Sequence, residues 1–180
     1  MKKGKYLFTA LALLIAYAVK SQQFVPVDQG SAVEFVISNI GFDVTGKFNG
    51  LRGTVIFDEK NLSVSSFSVT VDAASINTDN GTRDKHLRGE DYFNVSSYPQ
   101  IRIQSVKVAK SQTAGYYVLF ARLTIKETTK DISFPFTVTP EAGAYRFKGE
   151  FNIRRRDFAV GGRNTISNDL KVKLNVLTKK

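Results

Sequence analysis

The stretch Tyr116–Val138, YYVLFARLTIKETTKDISFPFTV, decides the fold class. Tyr117, Leu119, Ala121, Leu123 and Ile125 occupy alternate positions, and so do Ile132, Phe134, Phe136 and Val138. A repeat of two is the period of a strand with one buried face, and the polar run Lys126–Lys130 reads as the turn between two such strands. The segment predicts an antiparallel pair.

The alternation extends outward in both directions. Downstream, Ala142-Gly143-Ala144 turns the chain into Tyr145, Phe147, Gly149, Phe151 and Ile153. A last strand carries Leu170, Val172, Leu174 and Val176, with Lys171 and Lys173 opposite. Upstream, Ile101 and Ile103 give way to Val106 and Val108, and that change from odd to even positions predicts a bulge near Gln104–Ser105. Phe67, Val69, Val71 and Ala73 mark another strand. Ser31–Asn39 places Val33, Phe35 and Ile37 on one face, with Glu34 and Ser38 on the other. Phe42, Val44, Gly46 and Phe48 continue an alternating set after Gly41, through a bend or bulge. Asn49-Gly50 has the composition of a hairpin turn, yet alternation resumes at once with Leu51, Gly53, Val55 and Phe57. An interruption of one long strand fits equally well.

The sum is an all-β chain of about eight antiparallel strands, which close a barrel or pair into a sandwich. Glycines inside strands, at Gly46, Gly53 and Gly149, favour the bent, closed form. Fourteen Phe and no Trp give the inner face large ring area with no polar tip to satisfy.

One stretch breaks the pattern. In Ser75–Gln100, SINTDNGTRDKHLRGEDYFNVSSYPQ, alternation fails and Arg83, Asp84, Lys85, His86, Arg88, Glu90 and Asp91 crowd together. Asp79 or Asn80 can cap a helix, and Arg83–Arg88 lacks Gly and β-branched residues, so one to two helical turns are expected. Leu87, Tyr92 and Phe93 supply an apolar underside, and Pro99 delivers the chain into the next strand. The stretch reads as a lid packed on the β body.

Residues 1–21 read as an export signal: Lys2, Lys3 and Lys5 precede the uncharged run Tyr6–Val19, too short to span a bilayer comfortably. Cleavage fits after Ala18 or after Ser21. Removing 1–21 takes away Lys2, Lys3, Lys5 and Lys20, leaving 22 basic against 16 acidic residues, a net charge of +6. That balance suits a mild attraction to anionic membrane surfaces and is poor support for nucleic-acid binding. The absence of cysteine excludes disulfides, thiol nucleophiles and thiolate metal sites. Residues 22–180 show no linker or long repeat, so one domain is expected, large enough to bury a core without disulfides.

Few constellations suggest chemistry. His86 is the only histidine, so a multi-histidine metal site is impossible, and neither a metal nor a cofactor is expected. Gly41–Phe48, GFDVTGKF, approaches a phosphate-loop pattern but ends in Phe48 instead of a hydroxyl residue and leads into a strand. Arg154-Arg155-Arg156-Asp157 could hold an anionic head group; by default Arg154 and Arg155 are expected to be solvated. The sequons at Asn61, Asn80 and Asn94 are too short to be informative.

Taken in order, Ser31…Val33…Phe35, Gly41…Gly46…Phe48…Gly53…Phe57, Ser75-Ile76-Asn77-Thr78, Arg83-Asp84-x-His86-Leu87, Asp91-Tyr92-Phe93, Tyr98-Pro99 and Arg156-Asp157-Phe158 resemble the YceI-like family of lipid- and polyisoprenoid-binding proteins. The resemblance covers roughly Val27–Leu177 and implies a lipocalin-like, eight-stranded antiparallel barrel with a short helical insertion. It also implies an apolar tunnel for an isoprenoid or similar amphiphilic lipid, in an exported, periplasmic or secreted protein. Asn39 stands where many members carry His, so a protonatable group is absent there. The resemblance carries over no catalytic residue.

The expected function is therefore non-enzymatic binding or carriage of an elongated apolar molecule. Tunnel residues would be Phe35, Ile37, Phe48, Phe67, Val69, Ile103, Leu119, Phe134, Phe136, Phe147 and Phe151. Arg83, Asp84, His86, Arg156 and Asp157 would form a mouth, either meeting a head group or clamping the lid, with Asp84 or His86 bonded to the Arg156-Asp157 corner. Two rivals stand beside this. One is a lipid-modifying enzyme using His86 with Asp84 or Asp157, and the other a stress or surface-interaction protein with a filled barrel. Membrane-surface contact and a homodimer are left open by the sequence.

Overall fold

The computed structural model describes residues 22–163 and 165–180; the expected export segment, 1–21, lies outside the described residues. Strands run β1 (Gln23–Asn39), β2 (Phe42–Phe48), β3 (Arg52–Ile56), β4 (Ser66–Asp72), β5 (Gln100–Lys110), β6 (Tyr117–Ile125), β7 (Thr128–Glu141), β8 (Ala144–Arg154) and β9 (Ile166–Lys179). A helix, α1 (Gly81–Arg88), lies between β4 and β5. Every neighbouring pair is antiparallel, and β1 also pairs with β9, which closes the sheet into a barrel.

The nine strands make an eight-stranded barrel because β2 and β3 act as one. Both pair antiparallel with β1, β2 against Val33–Asn39 and β3 against Gln23–Phe24, so they run in the same direction. Asn49–Leu51 is therefore a break in one long strand, not a hairpin. The hairpin is at Ile40–Gly41 instead, where a bend or bulge was expected. Asn39 pairs with Phe42, and Ile40 and Gly41 both have positive φ, 51° and 79°. That is the backbone of a two-residue turn matched to the strand twist.

The break is held from both sides. The Asp28 carboxylate accepts from the Gly50 and Leu51 amides at 3.0 and 2.9 Å, and Ser75 Oγ accepts from the Asn49 amide at 2.8 Å. Asp28 can do this because β1 itself bulges: between Val27 and Ala32 three more residues lie on β1 than on β9. Ser31 Oγ closes the bulge, donating to the Val27 carbonyl and accepting from the Leu177 amide. A buried backbone group without a partner is costly, and here side chains replace the missing ladder bonds.

In β5 the bulge falls between Ser105 and Lys107, one residue beyond the expected place. Val106 is the extra residue and faces solvent, Val108 returns to the core, and Ser105 Oγ accepts from the Phe67 amide at 2.9 Å.

The two ends of the barrel differ. At the end where β3 finishes and β6 begins, the rings of Phe24, Phe57, Tyr117, Phe136, Tyr145 and Phe147 meet mostly edge-on. Their centroids are 5.0 to 6.5 Å apart, the separation favoured by ring quadrupoles. This aromatic plug closes the barrel. At the other end sit the β1–β2 hairpin, α1 with its flanking segments, and the segment 155–163.

Candidate functional site

Between plug and lid the barrel encloses a cavity of about 240 Å³ that is not sealed from solvent. Each of the eleven residues expected on the inner face lines it. They divide by position. Phe48, Phe67, Leu119, Phe134, Phe136 and Phe147 are buried against the plug or neighbouring strands, whereas Phe35, Ile37, Val69, Ile103 and Phe151 are half-buried and present surface to the cavity. Val33, Val44, Leu170, Val172, Leu174 and Val176 add a half-buried aliphatic wall from β1, β2 and β9. Room exists opposite Phe35 because its cross-strand neighbour is Gly46: a Cβ there would lie 2.2 Å from Phe35 Cζ.

The lid completes the wall with Thr78, Arg83, Leu87, Tyr92 and Phe93. Asn80 caps α1, its side chain accepting from the Arg83 amide at 3.0 Å. From the first turn Asp84 points inward and is only 6 % exposed. It accepts from the Thr78 amide at 2.9 Å and from the Thr78 hydroxyl at 2.5 Å. Thr78 Oγ1 and the Thr78 carbonyl in turn accept from Arg83 Nε and Nη2 at 2.7 and 2.6 Å. Asp84, Thr78 and Arg83 thus form a relay that fixes one edge of the guanidinium while Arg83 stays half-exposed beside the cavity.

The expected contact from the lid to the Arg156-Asp157 corner is not the one formed. Asp84 has Thr78, His86 is exposed on the outer side of α1, and Arg156 extends to solvent while its backbone amide donates to Asn168 Oδ1. Asp157 pairs with Arg154 at 3.0 Å in a shallow outer groove with Asp131 and Asp169. Of the five proposed mouth residues, Arg83 alone lines the cavity. His86 and the carboxylates of Asp84 and Asp157 do not face a common space, so the geometry gives an acid–base mechanism at the mouth no support.

Other cations at this end are satisfied by backbone carbonyls. Arg88 donates to the carbonyls of Ala74 and Ile76, both at 2.7 Å, and Lys126 to that of Ala159 at 3.0 Å. Irregular segments leave carbonyls without ladder partners, and long cationic side chains reach them.

Arg155 follows the same rule and overturns the expectation that it is solvated. It is 5 % exposed and donates to the carbonyls of Val160, Gly162, Ile166 and Ser167 at 2.8 to 3.1 Å. Burial lowers its pKa from the usual guanidinium range; nearby Tyr92 opposes that, and Arg156 adds to it. Arg155 knits the loop after β8 into the roof of the cavity. A signal for this was present: Tyr145, Phe147, Gly149, Phe151 and Ile153 take the inward parity of β8, and Arg155 is the next position in that series. Thr78 carried no comparable signal, since its role depends on α1 folding back over it.

At the closed end, Tyr117 donates to Glu59 Oε1 at 2.8 Å. Burial, reinforced by that carboxylate, pushes the phenol pKa up to about 12.

The model of the YceI-like domain matches residues 25–177, nearly the whole described chain. The chain belongs to the YceI-like family. Among its relatives is a UPF0312 protein of Yersinia pestis (strain Pestoides F), 32% identical over 165 residues, covering 87% of this chain and 82% of that protein. BcnA of Burkholderia cenocepacia has a similar fold, with a TM-score of 0.77 at 24% identity over 82% of this chain and 95% of that one. A polyisoprenoid-binding domain from Saccharophagus degradans, implicated in plant cell wall breakdown, superposes with a TM-score of 0.70 at 16% identity. That match covers 89% of this chain and 99% of the domain.

Proposed function

We propose that this protein binds an elongated apolar molecule, a polyisoprenoid or a similar amphiphilic lipid, with its tail in the barrel and its head at the lid end. The observation that carries the reading is the cavity of about 240 Å³, walled by aliphatic and phenyl groups and blocked at one end by the aromatic plug. A compact polar ligand would lose its hydration there and gain nothing. An apolar tail gains roughly 25 cal/mol for each Å² taken from water, without needing directional contacts. The likeness to a polyisoprenoid-binding domain supports the same ligand class. Arg83, fixed by Thr78 and bordering the cavity, is suited to an anionic or polar head. Family membership favours binding over catalysis. Lys2, Lys3 and Lys5 ahead of Tyr6–Val19 support export to the periplasm or beyond.

Native mass spectrometry of the protein from its own cells tests this directly. A discrete co-purifying lipid mass is expected, as is saturable uptake of a fluorescent isoprenoid analogue after delipidation. Val172→Phe fills the half-buried β9 wall and should weaken uptake about tenfold, near 1.4 kcal/mol, without lowering the unfolding midpoint. Wild-type protein that neither carries nor takes up such a ligand would end the reading.

A further inference from the structure

The β1–β2 hairpin places two large apolar side chains in water at the cavity end of the barrel. Ile40 is 71% exposed and Phe42 77%, the two highest values among the exposed large hydrophobic residues described. Turns of this backbone form favour Asn-Gly, because both residues need positive φ. Here the first position is Ile40, β-branched at φ 51°, a conformation such residues rarely adopt. Neither local turn stability nor core packing accounts for Ile at this place.

Position gives the tip a role. The same hairpin supplies Ile37, Asn39 and Val44 to the cavity wall, so Ile40 and Phe42 project from its rim. Across from the hairpin the outer edge of β2 meets no strand; among the described residues its one backbone partner is the bridge between Lys47 and Asn77. Beside the tip, Thr165 Oγ1 donates to Asn39 Oδ1 at 3.2 Å and holds the loop that bears exposed Arg163. Asp43 is the acid beside the tip, Glu34 lies farther along the hairpin opposite Lys47, and residues 22–180 as a whole carry +6.

We propose that Ile40 and Phe42 insert into the surface of a lipid bilayer containing anionic lipid, bringing the cavity rim to the membrane. An apolar ligand could then pass between bilayer and barrel without crossing water. The purpose of docking rests on the lipid-binding reading above; the docking itself is tested separately.

The chain has no Trp, so Phe42→Trp introduces a single indole reporter at the tip. Tyr116→Trp, exposed at the start of β6 on the opposite end, is the control. Each full-length variant is titrated with vesicles of phosphatidylcholine and phosphatidylglycerol. Docking predicts a blue shift and quenching by bromolipid for the tip reporter and none for the control reporter. Adding Ile40→Asn to Phe42→Trp should raise the vesicle concentration needed roughly tenfold or more, since one large apolar side chain is withdrawn. No shift at the tip, or equal shifts at both sites, overturns the proposal. A shift that follows protein concentration without vesicles also overturns it, and assigns the tip to a second copy of this chain. Insertion of the tip reporter in a protein that takes up no isoprenoid analogue would leave docking standing and remove the cargo reading; uptake without insertion would do the reverse.

Discussion

Replacing Asp84 by Ala removes a buried carboxylate that accepts two hydrogen bonds from Thr78. Thr78 is itself buried, so its amide loses a short charge-assisted bond with no water at hand to replace it. Each buried donor left without its acceptor costs about 1–3 kcal/mol. The hydroxyl also loses its bond to a charged acceptor, and the two losses together come to about 3 kcal/mol. Arg83 adds little, because it is half-exposed and screened. For a domain of this size about 3 kcal/mol lowers the unfolding midpoint by roughly 6–12 °C. The assay is a double-mutant cycle by chemical denaturation. Asp84→Ala and Thr78→Val share a bond, so together they should cost at least about 1 kcal/mol less than the sum of their separate effects. Asp84→Ala and Arg156→Ala share none, and should add within about 0.5 kcal/mol. The reasoning fails if Asp84→Ala costs under about 0.5 kcal/mol, or if Asp84 couples to Arg156 as strongly as to Thr78.

Two further outcomes follow from the geometry. Gly46→Ala puts a Cβ 2.2 Å from Phe35 Cζ and 2.9 Å from Thr78 Cγ2, so the Phe35 ring must swing into the cavity. The expected cost is about 1–3 kcal/mol with a larger fractional loss of analogue uptake, and Phe35→Leu in the same chain should restore uptake; unchanged uptake in Gly46→Ala would show that the ring does not border the ligand path. Tyr117 has its folded pKa raised from 10 to about 12, so its neutral form contributes stability that is complete below pH 10 and lost as pH rises toward 12. Ultraviolet titration should find that Tyr117→Phe deletes the latest of the phenol ionisations and flattens the loss of stability in that window, whereas deletion of a step near pH 10 would contradict the burial argument.

Strand content, and which face of each strand is apolar, could be read from the chain without its fold. Alternation is local, because a strand points successive side chains to opposite sides whatever it pairs with. Tyr117, Leu119, Ala121, Leu123, Ile125, Phe134, Phe136, Phe147 and Phe151 therefore turn inward as the pattern requires, and the parity change at Val106 announces the β5 bulge to within a residue. The same logic reaches Arg155 once the inward series of β8 is carried one step past Ile153. The helix, too, was legible, since its Asn80 cap and the run Arg83–Arg88 act within a turn or two.

Whatever depends on distant partners was set by the folded barrel. Asn49-Gly50 and Ile40-Gly41 are both Gly-containing turns by composition. The direction of β2 relative to β1 makes the second a hairpin, and Asp28, 22 residues before Gly50, holds the first as a break. The partner of Asp84 was likewise beyond local pattern. A charge announces only that it needs compensation, and a carbonyl left open by an irregular segment or a hydroxyl such as that of Thr78 serves as well as an opposite charge. The unfilled space between plug and lid has the same origin. Apolar faces specify an inside, but barrel radius and the reach of each ring leave about 240 Å³ there, with no short-range signature in the chain.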